Sequence, residues 1–181
     1  MRPTVSSPLS SRQHSRQQGL TLIELIVALA VFALLVTWAI PGYQRFTARN
    51  EVAAEVMRLK SALAKTRSAA ITRRATVTLC PTLDMTQCQI SNNAEGDAWR
   101  ATLAIFEGRG ETGDALLRTF GESRLPSLTY RNDDRPVRYK ALGRSSGHNG
   151  TFRLCGRHES GAQVIINNVG RVRVDPARPE C

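Results

Sequence analysis

Hydrophobic and polar residues follow three successive patterns along the 181-residue chain. An apolar run fills residues 20–40, LTLIELIVALAVFALLVTWAI, and contains a single charged residue, Glu24. Over residues 42–74, apolar residues recur at the spacing of one helix face. They are Val52, Val56, Leu59, Leu63 and Ala70. Most charged residues of this segment fall on other faces, where we expect a solvated surface. They are Glu51, Glu55, Arg58, Lys65 and Arg67.

The apolar run is long enough to cross about 30 Å of hydrocarbon as a helix. A buried core helix is not favoured, because the run is apolar on all sides over many turns. A secretory signal peptide would have an apolar region of about 7–15 residues and a small-residue cleavage site, whereas this run ends at Ile40-Pro41-Gly42. We therefore expect a retained transmembrane helix over residues 20–41, followed by an amphipathic helix over residues 42–74.

From residue 75 onward, short alternating segments replace the helical pattern and read as eight β-strands. They are residues 75–80, 101–106, 115–120, 127–131, 136–141, 151–155, 163–167 and 171–174. Clusters of Gly, Asn, Asp and Pro separate them, as is typical of turns. Strands that follow one long helix predict an α+β fold, in which an antiparallel sheet packs on the helix. We assign residues 75–181 to this β-rich globular domain.

The charge balance favours an anionic partner. The chain has 25 Lys and Arg against 15 Asp and Glu, a net charge of +10. Such a balance fits nucleic acid, anionic lipid or an acidic protein. A basic surface that is merely solvated fits it equally well, so charge alone does not select a function.

The four cysteines favour disulfides over a zinc site, because no C-x-x-C motif and no histidine at metal-ligand spacing accompany them. Cys80 and Cys88 are close enough in sequence for a local bridge. That pairing leaves Cys155 with Cys181, a bridge that would tie down the C-terminal tail. Since disulfides persist outside the cytoplasm, we expect the C-terminal domain to lie there.

Glu24 requires an explanation, because a carboxylate near the middle of a membrane helix costs about 2.5–3.5 kcal/mol, and less near its end. Cleavage after Gly19 would leave a free amine on Leu20, one helical turn from Glu24. The amine of a neighbouring subunit could neutralise the carboxylate. This explanation requires parallel helices assembled in a filament.

Residues 17–35, QQGLTLIELIVALAVFALL, resemble the class III leader and N-terminal helix of type IV pilins and type II secretion pseudopilins. The resemblance implies that prepilin peptidase removes residues 1–19 and that Leu20 becomes N-methylated. It also implies a role for Glu24 in filament assembly. Pro41 falls where pilins commonly have a helix proline, and Leu20 replaces the usual phenylalanine.

The globular part resembles the FimT/GspH group of minor pilins and pseudopilins. The resemblance rests on LCPTLDMTQC (79–88), DAWRATLAIFEGRGETGD (97–114) and TFRLCGRHESGAQVIINNVGRVRV (151–174). A glycine usual soon after the tryptophan is absent here. The group implies the type IV pilin fold, in which the long helix packs on antiparallel β-sheets.

The last predicted strand carries the candidate binding residues. Side chains alternate along a strand, so Arg171 and Arg173 would face solvent, about 7 Å apart, while Val172 and Val174 cover the core. That separation is comparable to the phosphate spacing of a DNA strand. An ordinary exposed strand face explains two alternating arginines as well. Gly170 would permit a positive φ and bring its N–H near an anion.

The resemblance favours DNA. FimT proteins of competent bacteria bind DNA through a C-terminal G-R-x-R motif, which residues 170–173 match. Arg157 and Arg178 are added as weaker candidates, because the Cys155–Cys181 bridge would draw them together. Binding would be independent of sequence, since the tail has no aromatic residue to stack on bases.

Enzyme motifs are missing from the sequence, and His148 and His158 lie in predicted loops. We expect no catalytic residues, no cofactor and no metal. Three hypotheses about function remain: a DNA-binding minor pilin of a type IV pilus used in natural transformation, a GspH-type pseudopilin of a type II secretion system, and a minor pilin that only primes assembly. In each, the partners would include other pilins, prepilin peptidase and the inner membrane. A pilus subunit would finally become extracellular.

Overall fold

The computed structural model describes residues 21–90, 98–131, 135–175 and 179. One helix, α1 (Leu22–Arg73), contains Pro41 and covers both the apolar run and the amphipathic segment. The chain divides into two units between Ile40 and Pro41. Near its N-terminus the helix contains an 18-residue stretch, with a mean hydropathy of 2.6, that is apolar enough for the helix to cross a membrane.

The amphipathic part of α1 buries the face that the sequence spacing predicts. Leu59, Leu63 and Ala70 are fully buried, and Val52 and Val56 are nearly so. They form one core with residues from the strands described below. Burial of each leucine contributes about 1.5–3 kcal/mol, so this face attaches the helix to the β-rich domain.

Glu55 does not belong to the solvated surface predicted for the charged residues of this helix. Its side chain is buried, and one carboxylate oxygen lies 2.6 Å from Arg58 Nη2. Arg58 also donates a hydrogen bond to the carbonyl of Gly121. Because a buried charge is costly without a partner, the arginine one turn further along the helix allows Glu55 to lie inside. The sequence prediction was wrong at this residue.

In the described part of the chain, eight antiparallel strands follow the helix, at the places where the sequence predicts them. They are β1 (Val77–Pro81), β2 (Leu103–Glu107), β3 (Ala115–Phe120), β4 (Ser127–Tyr130), β5 (Val137–Tyr139), β6 (Gly150–Cys155), β7 (Gly161–Ile166) and β8 (Val172–Asp175). They form two four-stranded sheets, with strand orders β3-β2-β1-β5 and β4-β6-β7-β8. β8 is therefore an edge strand of the second sheet. The α+β fold with a long helix on antiparallel sheets is confirmed.

An aromatic cluster connects the two sheets. Trp99 lies in a short 3₁₀ helix, Ala98–Arg100, just before β2, and is fully buried. Its ring makes edge contacts with Tyr130 and Phe152 of the second sheet, at centroid distances of 5.3 and 4.8 Å. Such pairs contribute about 0.5–1.5 kcal/mol beyond their burial. The cluster fixes the packing of the second sheet, which carries the candidate site.

The Cys80–Cys88 disulfide predicted from the sequence is present. It joins β1 to the loop that follows, with the two Cα atoms 5.5 Å apart. Cys80 is fully buried against Ala104 and Phe106. The bridge therefore closes a small loop after β1 of the first sheet, whereas β8 belongs to the second sheet.

His148 should make the folded protein less stable in mild acid. Burial lowers the pKa of His148 below its ordinary value of 6.5, and the positive charges of Arg138, Arg131 and Arg135 lower it further. A hydrogen bond to Pro136 O has the opposite effect on this pKa. The folded state therefore prefers neutral histidine. Its stabilisation is complete above pH 6.5 and is lost as the pH falls through the lower folded-state pKa. We expect the urea midpoint of the wild type to fall faster below pH 6.5 than that of His148→Asn. Parallel pH profiles for the two proteins would contradict this.

Candidate nucleic-acid interface

A tight turn between β7 and β8 positions the two candidate arginines. Asn167 closes the turn with three hydrogen bonds. Its N–H donates to Arg171 O, its carbonyl accepts from Gly170 N–H, and its side-chain Oδ1 accepts from Arg171 N–H at 2.8 Å. Arg171 is therefore held directly before β8, and Arg173 follows on the same side of the strand.

Gly170 has a packing role in this turn. Its φ is +79°, a conformation that favours glycine, and the residue is buried. A Cβ at this position would lie 2.2 Å from Gly143 O and 2.9 Å from the ring of Tyr139. The positive φ was predicted. Its N–H was expected to be near an anion, but instead bonds to Asn167 O within the turn.

Arg171 and Arg173 are exposed and line one depression, together with Ile165 and Asn167. Ile165 pairs with Arg173 across the β7–β8 ladder, so these side chains share the outer face of the second sheet. Within the part of the chain that the structure describes, neither guanidinium has a carboxylate partner. Both are therefore available to an external anion.

The two valines of β8 differ in burial, although both were expected to cover the core. Val172 is partly buried and packs on the core. Val174 remains 37% exposed and lines a groove with α1 residues such as Val56 and Met57. Because β8 is an edge strand, only the first part of the strand packs over the core. The expectation holds for Val172 and fails for Val174.

Arg157 lies at the opposite end of the sheet from the two arginines. Arg157 lies in the connection from Cys155, the last residue of β6, to Gly161, the first residue of β7. Arg171 instead lies beyond the last residue of β7. β7 has six residues, so about 17 Å separates its two ends. Arg157 instead lies beside Tyr43 and Thr47 of α1. The structure does not bring Arg157 together with Arg171 and Arg173.

The tail that follows β8 is described only at Pro179. This proline is buried and lies against Gly161, which pairs with Cys155. Cys155 is disulfide-bonded. Arg178 and Cys181 lie outside the described residues, so the candidate role of Arg178 stays a prediction.

Arg153 belongs to the same outer face and was missed in the sequence. It is exposed on β6 between the buried Phe152 and Leu154. Arg153 pairs with Gln163 of β7, and Gln163 pairs with Asp175 of β8. Asp175 lies two residues after Arg173. The alternation of TFRLC was the available signal. The pairing of β6 with β7 was needed to place this arginine on the same outer face as Arg173, with β7 between their two strands. Asp175 adds a carboxylate to this face.

Thr21 and Glu24 form the N-terminal cap of α1. The backbone N–H of Glu24 donates to Thr21 Oγ1 at 3.3 Å. Thr and Glu three residues apart are the pattern of a capping box, which the sequence analysis overlooked. An acid in the first turn also interacts favourably with the helix dipole. Gly19 and Leu20 lie outside the described residues.

The family comparison covers most of the globular part. Residues 55–170 match the family model described as type II transport protein GspH. The chain belongs to the GspH family. The family groups it with the minor pilins and pseudopilins of the GspH/FimT-like kind, in agreement with the resemblance of residues 79–174. Residues 14–40 of this GspH-family chain also match the prokaryotic N-terminal methylation motif.

Individual relatives agree with the family over shorter or more distant matches. Two fimbrial proteins of Pseudomonas aeruginosa are each 47% identical over 49 residues, which is 25% of this chain and 32% of theirs. The chain thus matches about a third of the length of these relatives. The crystal structure of the Pseudomonas aeruginosa type IV minor pilin FimU superposes with a TM-score of 0.54 at 22% identity, over 72% of this GspH-family chain and 92% of FimU. FimU therefore shares the fold.

Proposed function

We propose that this protein is a minor pilin of a type IV pilus that binds extracellular DNA for uptake in natural transformation. One observation carries the proposal: Arg171 and Arg173 project from one exposed strand face without a carboxylate partner in the described part of the chain. Guanidinium groups so placed contact phosphates. The G-R-x-R pattern of residues 170–173 adds the resemblance to DNA-binding FimT proteins.

The N-terminal region would provide membrane insertion and assembly. Prepilin peptidase would cut between Gly19 and Leu20, after which Leu20 becomes methylated. Residues 20–41 would anchor the subunit in the inner membrane with the rest of the chain in the periplasm. Glu24 would meet the amine of a neighbouring pilin as the subunit enters the filament. In the finished pilus, the residues from 42 onward would carry the binding surface outward.

The interface predicts weak binding that does not depend on DNA sequence. Arginines on a strand face reach phosphates, and phosphate contacts carry no sequence information. Each phosphate contact contributes about −0.9 to the slope of log K against log salt concentration, so Arg171 and Arg173 together predict a slope of about −1.8 or steeper. Several copies in one pilus would raise the overall affinity by multivalency.

A titration of the full chain in non-ionic detergent tests this proposal. Fluorescent duplexes of equal length and different sequence would be titrated from 50 to 300 mM salt, with the disulfides oxidised. We expect equal affinities for all sequences and the slope given above. If the protein does not bind at the lowest salt, or binds with no salt dependence, DNA uptake is the wrong function.

The GspH-type pseudopilin is the second candidate. The observation that favours it is the family model, whose description refers to type II transport. In that function the subunit would contact other pseudopilins, and Arg171 and Arg173 would be ordinary surface residues. A missing DNA interaction in the titration would favour this function, or that of a minor pilin that only primes assembly.

A further inference from the structure

A row of basic residues on α1 runs beside the edge strand β8. Arg49, Lys60 and Arg67 are separated by eleven and seven residues. At about 3.6 residues per turn, these spacings place all three within about 20° of one another around the helix. Lys60 and Arg67 line a groove between α1 and the start of β8. Arg49 lines a second groove, where Glu159 also lies.

The groove at Lys60 and Arg67 is continuous with the candidate interface. Arg171 lines this groove and also the outer depression that contains Arg173. The floor includes Leu63, Tyr139 and Val172. A linear polyanion that contacts Arg173 and Arg171 can therefore continue toward α1 without leaving the protein surface.

Arg67 is held in position beside this groove. Its side chain packs over Gly143, where a Cβ would lie 3.1 Å from Nε. Its Nη2 donates to Val169 O at 3.4 Å. Nε is buried and has no hydrogen-bond partner among the described residues. Burial raises the pKa of the adjacent Tyr139 to about 12, with the charge of Arg67 opposing the rise. A neutral phenol supplies no negative charge to the guanidinium.

Among the described residues, the lining of the groove has three cations and no acid. Lys60, Arg67 and Arg171 are the charged residues, and the other lining residues that the structure describes are apolar or carry hydroxyl groups. Like charges close together repel one another. A bound polyanion would relieve this repulsion and release its own counterions.

We infer that this groove binds the phosphate backbone of the same DNA that contacts Arg171 and Arg173, so that Lys60 and Arg67 are DNA-binding residues on α1. The inference rests on the proposed function. The interface then extends from the strand onto the helix and contains four cations instead of two. Arg49 is excluded from it, because Glu159 lines the groove in which Arg49 lies.

Lys60→Gln/Arg67→Gln tests the inference in the full chain in non-ionic detergent. The glutamines keep polar side chains, and thermal unfolding would verify that the variant is folded. Lys65→Gln/Arg118→Gln is the matched control, because it also removes two charges. Those two cations flank the ring of Phe120, 5.4 and 5.9 Å from its centroid. Arg171→Ala/Arg173→Ala serves as the reference for the strand face.

We expect the Lys60/Arg67 variant to bind a DNA duplex about 10–60-fold more weakly at 0.1 M salt, with a salt slope shallower by about two. The control should bind like the wild type. If the Arg171/Arg173 variant loses affinity while the Lys60/Arg67 variant does not, the groove is not part of the interface and the proposed function stands. An equal loss in the control would also overturn the inference, because the effect would then be one of net charge. Without wild-type binding, both proposals fail.

Discussion

Arg171→Ala/Arg173→Ala should weaken DNA binding about 60-fold at 0.1 M salt. Each lost phosphate contact makes the slope of log K against log salt concentration shallower by about 0.9, so the loss of two contacts makes it shallower by about 1.8. Taken from about 1 M salt, where these contacts contribute little, to 0.1 M salt, that difference in slope corresponds to this loss of affinity. Both side chains are exposed and lie on one strand face. Their removal should therefore leave the fold intact. The measurement is a titration of the full chain with a fluorescent duplex at several salt concentrations.

Lys65→Ala/Arg118→Ala is the control variant for this experiment, because it tests whether net charge alone explains the loss of binding. It removes the same charge from a pair beside Phe120. If binding depends only on the net charge of +10, both double variants should weaken equally. A selective loss in the β8 variant, with the slope reduced by about two, identifies the strand face as the contact surface.

Gly170→Ala should destabilise the fold by about 2–5 kcal/mol. A left-handed conformation costs a residue with a Cβ about 1–2 kcal/mol. Overpacking against Gly143 O and the ring of Tyr139 adds about 1–3 kcal/mol. Equilibrium unfolding in urea, followed by the fluorescence of the buried Trp99, measures the change.

Gly147 provides the matched control for that measurement. Its φ of +82° is nearly the same as the +79° of Gly170, but a Cβ there meets nothing within 4 Å. Gly147→Ala should therefore cost only the conformational part, about 1–2 kcal/mol. If Gly170→Ala is no worse than Gly147→Ala, the close packing of the turn is not what requires the glycine. If folded Gly170→Ala also has an unchanged salt slope, the glycine of the G-R-x-R motif acts through the fold.

The local elements were predictable because their signals are local. The alternation of apolar and polar residues locates β6 and β7, since a strand with one buried face repeats every two residues. The spacing of Val52, Val56 and Leu59 identifies the buried helix face by the same logic at 3.6 residues per turn. The proximity of Cys80 and Cys88 predicted their bridge for a related reason, because few residues separate them.

The errors occurred where the surroundings of a residue, rather than its local element, decide the outcome. The N–H of Gly170 was expected near an anion, but it bonds to Asn167 O within the turn. The residue itself packs against Gly143 and Tyr139. Val174 was expected to be covered, but it lies at the edge of a sheet whose strand order no local pattern reveals. Arg157 was a candidate for the same binding surface as Arg171, but it lies at the opposite end of the sheet from Arg171.

The sequence by itself determined the long apolar helix, the eight strands, the local disulfide and the family, because each depends on residues within one segment. Only the tertiary structure decided which cations share a surface. Lys60 and Arg67 lie about a hundred residues before Arg171 in the sequence, and they line the same groove because α1 packs beside β8. Arg153 joins the outer face through the pairing of β6 with β7. Such contacts arise from burial of the common core, which depends on the whole chain rather than on any local pattern.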